Sequence, residues 1–396
     1  MKVSPATLDT DPFSDEVLEN PYSFYEVLRE AGPVVYLSSH DCYAVGRFKD
    51  VCAVASEHQR FTSSAGIGLA DLRQPGAWRA PGSVSEIDPP EHTDVRGAFQ
   101  KVLSPIVIRR WKDAFEEHAE RVVDRLLDIR EVDGVKDIAE EFVLDVFPRM
   151  VGLSVPRERL VLIGEMTFNQ LGPDNERLKR STEKAAPFMD WYAEAMTRER
   201  MLPGGFGEQL YQAEDAGHFP KGTALYHVRS FFRAGTDTTV ASIGLTLNQL
   251  ARHPEQFARL RDNPAAVRSA FDEGLRFESP AQVLFRTAVS ETEIDGVTVD
   301  ADKKIAFFMA SANRDPRKWE NPDVYDSTRD SAAAHRAFGH GAHLCLGQMI
   351  ARQEAEAILG ALSRRVRAIE LSGLPRYRLI NTLRTLDTLP LRVHPL

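Results

Sequence analysis

The chain has 396 residues, of which 43% are hydrophobic and 27% are charged, and its formal net charge is −9. This balance is typical of globular proteins and excludes disordered, collagen-like and disulfide-scaffold classes. It also disfavours general nucleic-acid binding, because neutralising phosphates requires a basic face. The length alone suggests two or three domains.

The three cysteines, Cys42, Cys52 and Cys345, are too few for a disulfide framework and indicate a reducing compartment. The N-terminal segment has no apolar core of a secretory signal, and no stretch reaches the roughly 20 apolar residues of a membrane-spanning helix. We therefore expect a cytoplasmic protein that has no membrane partner.

Helical patterns dominate the chain, and strand-like patterns are short. Up to residue 221, the sequence predicts a hairpin at 34–47, a long loop at 61–90, a helix at 112–127 and a second long loop at 203–221. Beyond that point, it predicts a thirty-residue helix at 223–252, a helix capped by Asn263 and ending at Phe277, strands at 284–308 that turn at Asp295-Gly296, and a helix at 348–366. Both long loops are rich in Gly and Pro, and loops of this length are usually lids or binding segments. The predicted fold class is mainly α with minor β (α+β).

Two short patterns indicate an anion site and an unusual helix. His92 and Arg96 lie one turn apart on a helix that begins after Pro89-Pro90, so both can contact one anion. In the thirty-residue helix, the run Ala234–Thr239 has no large apolar side chain, and Gly235 costs about 1 kcal/mol relative to Ala. Such a departure is expected at a functional site. The alternative is a kink at which Thr hydroxyls bind carbonyls four residues earlier.

The most specific pattern is the run Phe338–Gly347, in which Cys345 lies in a loop with glycines and histidines directly before a predicted helix. Unpaired N–H groups at a helix N-terminus favour a thiolate. A thiolate with no second cysteine nearby suits an axial ligand of haem iron better than a four-ligand zinc site. The alternative is a buried structural cysteine in a helix-capping loop.

This run resembles the haem-binding loop of the cytochrome P450 family of haem-thiolate monooxygenases, whose pattern is F-G-x-G-x-H-x-C-x-G. Three further motifs are similar to those of the family and follow in the same order: H-T-x-x-R at His92–Arg96, the oxygen-groove motif at Ala234–Thr239, and E-x-x-R at Glu273–Arg276. The resemblance extends over essentially the whole chain. It implies a single P450 domain over residues 1–396, triangular in outline, that encloses haem b beside a long central helix.

The resemblance also implies roles for individual residues. Asp237 and Thr238 would be catalytic, Asp237 by delivering protons and Thr238 by hydrogen bonding in the oxygen groove. Glu273, Arg276 and Arg329 would hold the cysteine loop against the haem, although Tyr325 stands beside this set where the family more often has Phe. Cys345 would be the metal ligand, and the residues that would bind the cofactor are His92, Arg96, Arg286, Phe338, Gly339, His343, Cys345 and Gly347.

Several strings, including 31–37, 311–316 and 381–384, resemble the bacterial members of the family that oxidise para-substituted benzoic acids. This likeness implies a small aromatic carboxylic acid as substrate, oxidised by hydroxylation or O-demethylation. Arg229, Ser230, Arg233 and Leu284 are the expected substrate contacts. Arg229 and Ser230 lie eight residues before Asp237 and Thr238, about 12 Å along the helix axis, which is roughly the length of a para-substituted benzoate.

The chain departs from the subgroup at several pocket positions. Arg233 stands where the subgroup has Ser, Ala65 stands where an Arg is expected, and Leu171 and Leu284 replace aromatic residues. Either a carboxylate-binding arginine has moved, or the pocket is wider and takes a longer aromatic acid. Arg233 could instead form an ion pair with Asp237, one turn further along the helix.

The chain has no flavin fingerprint and no iron–sulfur cysteine cluster, so electrons must come from another protein. The resemblance implies dioxygen as co-substrate and, as partners, an acidic ferredoxin with its NAD(P)H-dependent reductase. Candidate docking cations are Arg109, Arg110, Lys112, Arg352, Arg364 and Arg365, although a solvated charged face explains them as well. Two other functions stay open: a P450 that oxidises a fatty acid, terpenoid or polyketide, and a haem-binding sensor without turnover.

Overall fold

A computed structural model describes residues 4–396, and helices make up most of it. In chain order the α-helices are α1 (Asp15–Glu19), α2 (Tyr22–Ala31), α3 (Phe48–Ser56), α4 (Glu91–Val102), α5 (Pro105–Arg109), α6 (Lys112–Ile129), α7 (Glu141–Val151), α8 (Arg157–Asn169), α9 (Glu176–Ala185), α10 (Met189–Ala195), α11 (Phe206–Asp215), α12 (Ala224–Arg252), α13 (Pro254–Asp262), α14 (Ala266–Glu278), α15 (Met309–Ala312) and α16 (Gln348–Arg365). A π-helical segment, Gly134–Glu140, leads directly into α7.

The strands are short and form small sheets. They are β1 (Ala6–Leu8), β2 (Val35–Leu37), β3 (Cys42–Val45), β4 (Phe61–Thr62), β5 (Glu131–Asp133), β6 (Val283–Ala288), β7 (Thr292–Ile294), β8 (Val297–Val299), β9 (Lys304–Phe308), β10 (Val366–Leu371), β11 (Arg376–Leu379), β12 (Arg384–Thr388) and β13 (Pro390–Pro395). The main sheet has the order β1-β2-β3-β9-β6-β4, in which β1 with β2 and β3 with β9 are parallel pairs. The remaining sheets are β10-β13-β5, β11-β12 and β7-β8.

The predicted fold class, mainly α with minor β, is confirmed, and so are most of the predicted elements. The hairpin at 34–47 is the antiparallel pair β2 and β3, and the thirty-residue prediction at 223–252 is α12. The turn at Asp295-Gly296 joins β7 and β8, with both residues at positive φ. The loop at 61–90 is irregular apart from β4 and one short helical turn, Val84–Glu86.

Two predictions were wrong. The segment 203–221 is not a loop throughout, because α11 occupies Phe206–Asp215 and buries Phe206, Leu210 and Tyr211 at helical spacing. Glycines at both ends of the segment mark the helix boundaries rather than a continuous loop. Asn263 does not cap α14 but follows the end of α13, where its N–H binds the carbonyl of Arg259.

The long helix α12 runs through the core and positions the site. Every residue from Thr239 to Ala251 is buried, which is the pattern of a helix surrounded by other elements. Helices α7, α8, α11 and α14 contact it, while α16 packs on α6 and α14. Within residues 4–396, none of the helices combines the length and the apolar character needed to cross a membrane.

Candidate active site

A cavity of about 320 Å³ lies between α12 and the loop that contains Cys345. The α12 wall consists mainly of small and polar residues, namely Ser230, Phe231, Arg233, Ala234, Gly235, Thr238, Thr239 and Ser242. The opposite wall is formed by residues 337–339 and 343–347. The remaining sides include the 61–90 loop, α4, the end of α8, the start of β6 and the first two turns of α16.

The cysteine loop, residues 336–347, is shaped by two glycines with positive φ, Gly339 at 78° and Gly341 at 72°. A side chain at Gly341 would also come within 2.7 Å of the Cα of Ser56, so the loop can approach α3 only with glycine there. The N–H of Cys345 donates to the carbonyl of Phe338 at 2.9 Å, which closes the loop directly before α16. Cys345, Phe338, Gly339 and Gly347 all line the cavity.

The electrostatics at Cys345 differ from the expectation of a thiolate. Burial raises the pKa of Cys345, although the N–H groups of Gly347 and Gln348 and the guanidinium groups of Arg96 and Arg352 lower it. The N-terminus of α16 therefore acts in the predicted direction, but burial outweighs it. The chain alone holds a neutral thiol, and ligation by a metal ion would supply the charge that deprotonates it.

His92, Arg96 and His343 line one edge of the cavity, and Arg286, which does not line it, is buried close to the two histidines. The rings of His92 and His343 lie 4.2 Å apart, and Arg96 Nη2 donates to the carbonyl of Leu344 at 2.6 Å. Burial and the nearby Arg286 lower the pKa of His343 to about 3, and burial lowers that of Arg286 to about 10. Within residues 4–396, no carboxylate lies within ion-pair distance of Arg96 or Arg286, so their positive charge is not neutralised.

This edge fits the carboxylates of a cofactor. The Nε2 of His92 is buried and has no hydrogen-bond partner in the described chain, and an unpaired buried polar atom is rare without a ligand. The unneutralised guanidinium groups of Arg96 and Arg286 call for an anion beside it. Together with a single thiol on the opposite wall and small residues on α12, the site fits haem, with its two propionates and its iron.

Glu273 and Arg276 form a fully buried pair in which every donor is used. Arg276 donates to both carboxylate oxygens of Glu273, at 2.7 and 2.9 Å. Its other N–H groups bind the carbonyls of Asn313, Pro322 and Val324 at 2.8 to 3.1 Å. All five guanidinium donors are therefore satisfied, which is what allows a charged pair to be buried.

The pair connects to the cysteine loop. Arg329 donates to Glu273 at 3.2 Å, and the side chain of Asn313 accepts the N–H of Arg336, the first residue of the cysteine loop, at 2.6 Å. Tyr325, which stands where the family more often has Phe, places its hydroxyl on the carbonyl of Ala270 at 3.1 Å. These contacts are those of a network that positions the cysteine loop.

The hydroxyl groups along the middle of α12 bind the helix backbone. Thr238 donates to the carbonyl of Ala234 at 2.7 Å, and Thr239 donates to Gly235 at 2.9 Å. The Thr hydroxyls therefore bind carbonyls four residues earlier, which was the alternative explanation of this run. Thr238 and Thr239 nevertheless also line the cavity. Gly235 has an additional reason to be glycine, because a side chain there would overlap the ring of Phe147 on α7.

Asp237 does not line the cavity but faces the other side of α12. Its carboxylate lies against Gly164 of α8 and accepts from Thr236 at 3.1 Å. Burial raises the pKa of Asp237 to about 7. A small cavity at this position is lined by the charged residues Glu140, Glu165, Arg378 and Asp237 and by apolar side chains of α7, α8 and α12.

The structure separates the four expected substrate contacts. Ser230, Arg233 and Leu284 line the cavity, but Arg229 does not. The guanidinium of Arg229 donates to the carbonyl of Ala193 on α10, away from the cavity. The prediction for Arg229 therefore needs correction. Adjacent residues of an α-helix point about 100° apart around its axis, so the side chain of Arg229 lies on a different face from that of Ser230.

Arg233 has no ion pair in the described part of the chain. Asp237, the partner considered from the sequence, is turned toward Gly164 and Arg378 instead. Arg233 thus presents a positive charge at the cavity wall that no carboxylate of residues 4–396 neutralises.

Sequence reasoning missed an arginine of the 61–90 loop. Arg79 is buried at the cavity wall and is paired with Glu86, whose carboxylate also accepts the N–H of Ile67 at 2.8 Å. Ala65, where an Arg was expected, is buried behind the wall, and its carbonyl accepts from Lys304 at 2.8 Å. Since Glu86 neutralises Arg79, Arg79 is not a free cation for substrate.

Two further sites lacked a sequence signal. Glu354 on α16 lines the cavity with neither carboxylate oxygen hydrogen-bonded in the described chain, and burial raises its pKa well above the usual range. Ser83 also lines the cavity, and its Oγ lies 2.6 Å from Nδ1 of His227. An isolated Glu in a helix or Ser in a loop has no motif, so only the tertiary contacts identify them.

The candidate docking cations divide into two groups. Arg352 is buried and bound to Asp272 at 2.8 Å, so it is unavailable to a partner. Arg364 and Arg365 are neutralised by Glu120 and Asp124, and Lys112 lies near Glu116. Arg109 and Arg110 are exposed and have no ion pair within residues 4–396.

Comparison with known proteins agrees with this geometry. The sequence model of the family described as Cytochrome P450 matches residues 137–370. The chain is 43% identical to CYP199A2 from Rhodopseudomonas palustris, over 98% of this chain and 94% of the relative. It is 29% identical to cytochrome P450-terp from Pseudomonas sp., over 96% and 94% of the two chains. The solved structure of CYP109Q5 from Chondromyces apiculatus superposes with a TM-score of 0.82 at 29% identity and covers 99% of both chains.

Proposed function

The chain belongs to the cytochrome P450 family of haem-containing monooxygenases, and we propose that it inserts one oxygen atom of dioxygen into a small aromatic carboxylic acid. The expected substrate is a para-substituted benzoate or a longer aromatic acid, which is hydroxylated or O-demethylated. The resemblance to P450s that oxidise para-substituted benzoic acids and the 43% identity to CYP199A2 support this substrate class.

One observation carries the proposal: Arg233 lines the cavity and has no carboxylate partner among the described residues. A buried or half-buried guanidinium is costly unless an anion compensates it, so the cavity favours an acidic ligand. Leu171 and Leu284 contribute apolar surface, as an aromatic ring requires. A carboxylate at Arg233 would leave the far end of the ring toward Thr238 and the cysteine loop.

Haem is expected to be held by Cys345 at the iron and by His92, Arg96, Arg286 and His343 at the propionates, and when bound it activates dioxygen. Phe338, Gly339 and Gly347 line the wall on the Cys345 side. Glu273, Arg276 and Arg329 hold the cysteine loop through the backbone contacts described above.

Asp237 and Thr238 are the residues proposed to move protons. The pKa of about 7 suits Asp237 to gain and lose a proton near neutral pH. Its neighbour Arg378 lies 3.3 Å from Asp387, whose side chain is 41% exposed, so the charged residues around Asp237 extend toward solvent. Thr238 lies on the cavity side of the same helix, one residue away.

Electrons are proposed to come from an acidic ferredoxin reduced by an NAD(P)H-dependent reductase. Arg109 and Arg110 at the end of α5 are the cations that remain available, and exposed Ile106 and Met349 lie on α5 and α16. The side chain of Gln353 on α16 donates to the carbonyl of Ile108 at 3.2 Å, which joins α5 to the helix that follows Cys345. A partner at Arg109 and Arg110 would therefore dock near the helix that follows Cys345.

The test is ligand-induced change in the haem spectrum of the holoprotein, followed by turnover with a ferredoxin, its reductase and NADH. We expect 4-methoxybenzoate or 4-methoxycinnamate to shift the spectrum and to be demethylated to the phenol with release of formaldehyde. Tighter binding of a fatty acid or a terpenoid than of every aromatic acid would contradict the substrate class. A haem that binds carbon monoxide when reduced but yields no product would favour the sensor.

A further inference from the structure

Ser83 lines the cavity beside Ser230 and forms a hydrogen-bonded pair with His227, which lies behind the cavity wall. Ser83 precedes the short helical turn Val84–Glu86, and His227 lies at the end of the first turn of α12. Their Oγ and Nδ1 atoms are 2.6 Å apart, and the two residues are only 2% and 5% exposed. None of the sequence motifs includes either residue.

The second ring nitrogen of His227, Nε2, is buried and has no partner in the described chain. Its ring packs against Phe219 and Phe99, with ring centres 4.4 and 5.6 Å away, and no carbonyl is available there. Burial lowers the pKa of His227 to about 4, against the weaker opposing effect of Glu214, so the ring is neutral and carries a single N–H.

The position of that N–H decides what Ser83 offers to the cavity. With the proton on Nε2, a donor would be buried without an acceptor, and Ser83 would have to donate its hydroxyl hydrogen to Nδ1. With the proton on Nδ1, the ring donates to Ser83 Oγ, and the hydroxyl hydrogen of Ser83 remains free. Ser83 lines the cavity, so this hydrogen can reach a ligand.

Ser230 also has a hydroxyl hydrogen that is free to reach a ligand. Its Oγ accepts the backbone N–H of Ser83 at 3.3 Å, so its hydroxyl hydrogen is not needed for that contact. Tyr226 fixes the same loop segment by donating to the carbonyl of Pro81 at 2.8 Å. Two hydroxyl donors and the guanidinium of Arg233 therefore meet at one end of the cavity, a set suited to a carboxylate and poorly matched to a neutral group.

We propose that His227 is a specificity-determining positioning residue, whose Nδ1–H holds Ser83 as a hydrogen-bond donor to the carboxylate of the substrate. This inference rests on the proposed function and adds a residue that contacts Ser83 rather than the substrate. It also assigns the preference for an acid over its neutral ester to the Ser83–Ser230–Arg233 set, with His227 behind it.

The test compares spectral binding constants of holoprotein variants for 4-methoxybenzoate and for its methyl ester. His227→Leu removes the donor, and we expect it to weaken binding of the acid by about tenfold while binding of the ester stays within about twofold. His227→Asn retains an N–H at the Nδ1 position and is expected to restore acid binding. Ser83→Ala is expected to weaken binding of the acid as much as His227→Leu does. The double variant is expected to bind the acid no more weakly than Ser83→Ala alone.

Three results would overturn the inference. Unchanged or tighter acid binding in His227→Leu would mean that Ser83 donates to His227 rather than the reverse. Additive losses in the double variant would mean that His227 does not act through Ser83, and equal loss of acid and ester would mean a purely structural role. Wild-type protein that binds no aromatic acid would overturn the proposed function as well, which distinguishes the two failures.

Discussion

The carboxylate of Asp237 lies directly against Gly164, where α12 and α8 cross. A Cβ at position 164 would overlap that carboxylate, so only glycine lets Asp237 occupy its buried position. Asp237 is thereby held away from the cavity and beside the polar cluster of Glu140, Glu165 and Arg378. The route proposed for protons depends on this contact between two helices.

Substituting Gly164 should therefore impair turnover without affecting the cofactor. Gly164→Ala is expected to displace the Asp237 carboxylate and to lower product formation by about tenfold. This loss is smaller than the whole rate contribution of a general acid–base group, because the displaced carboxylate is still present. NADH-coupled turnover, with product counted per NADH consumed, measures it. Gly244→Ala is the matched control, since a side chain there would meet only Val135 at 3.9 Å. Equal effects of the two substitutions would contradict a specific role for the contact.

The raised pKa of Asp237 predicts a pH dependence of stability. Unfolded Asp titrates near pH 4, whereas burial raises the folded pKa to about 7, so between these values the folded state binds more protons. Stability attributable to this group is then full below about pH 4 and falls as the pH rises toward 7. Asp237→Asn should raise the free energy of unfolding at pH 8 by a few kcal/mol, at about 1.4 kcal/mol per pKa unit. Urea unfolding of the wild type and of Asp237→Asn at pH 5 and 8 measures the two free energies of unfolding. A difference between the two proteins that does not grow with pH would contradict the prediction.

Arg233 and Arg229 provide a matched pair on one helix. Arg233→Ala should weaken binding of 4-methoxybenzoate by about 10- to 100-fold, the range for a hydrogen bond to a charged group. Arg229→Ala should leave that binding constant unchanged, because Arg229 donates to the carbonyl of Ala193. Spectral titration of both variants with 4-methoxybenzoate measures the two binding constants. The reverse order of effects would show that the carboxylate lies nearer α10.

The buried pair Glu273–Arg276 should be essential for a stable holoprotein. Arg276→Gln leaves Glu273 buried without its principal partner, and breaking such a pair costs about 3–5 kcal/mol. We expect low haem content and loss of the characteristic absorption of the reduced carbon monoxide complex. Tyr325→Phe is the mild control, which removes only the hydrogen bond to Ala270 and should cost about 1 kcal/mol in urea unfolding.

Ferredoxin docking should depend on Arg109 and Arg110 rather than on Arg364 and Arg365. The double variant Arg109→Ala/Arg110→Ala is expected to raise the KM for an acidic ferredoxin severalfold at low ionic strength and less at high salt. Arg364→Ala/Arg365→Ala should have little effect, because Glu120 and Asp124 neutralise these arginines. Initial rates against ferredoxin concentration at two salt concentrations test both variants.

Several features could be predicted from the sequence because their signals are local. The glycines around Cys345, the proline-free run of α12 that ends just before Pro254, and the i,i+3 spacing of Glu273 and Arg276 are properties of short segments. The helix α11 was missed because the glycines and prolines that flank it dominated the pattern. Its buried positions Phe206 and Leu210 carry the helical period, but ten residues leave little room for it to be recognised.

The sequence by itself determined the family, the cofactor and the fold class, since each depends on contiguous motifs whose order is fixed by the chain. Only the tertiary structure decided which arginine can reach a substrate, because Arg79 is neutralised by Glu86 and Arg229 donates to a carbonyl away from the cavity, while Arg233 lines the cavity without a carboxylate partner among residues 4–396. It likewise decided that Asp237 faces Gly164 and that Ser83 meets His227, residues 144 positions apart. Charge compensation and side-chain direction depend on neighbours that are distant along the chain, and no local pattern encodes them.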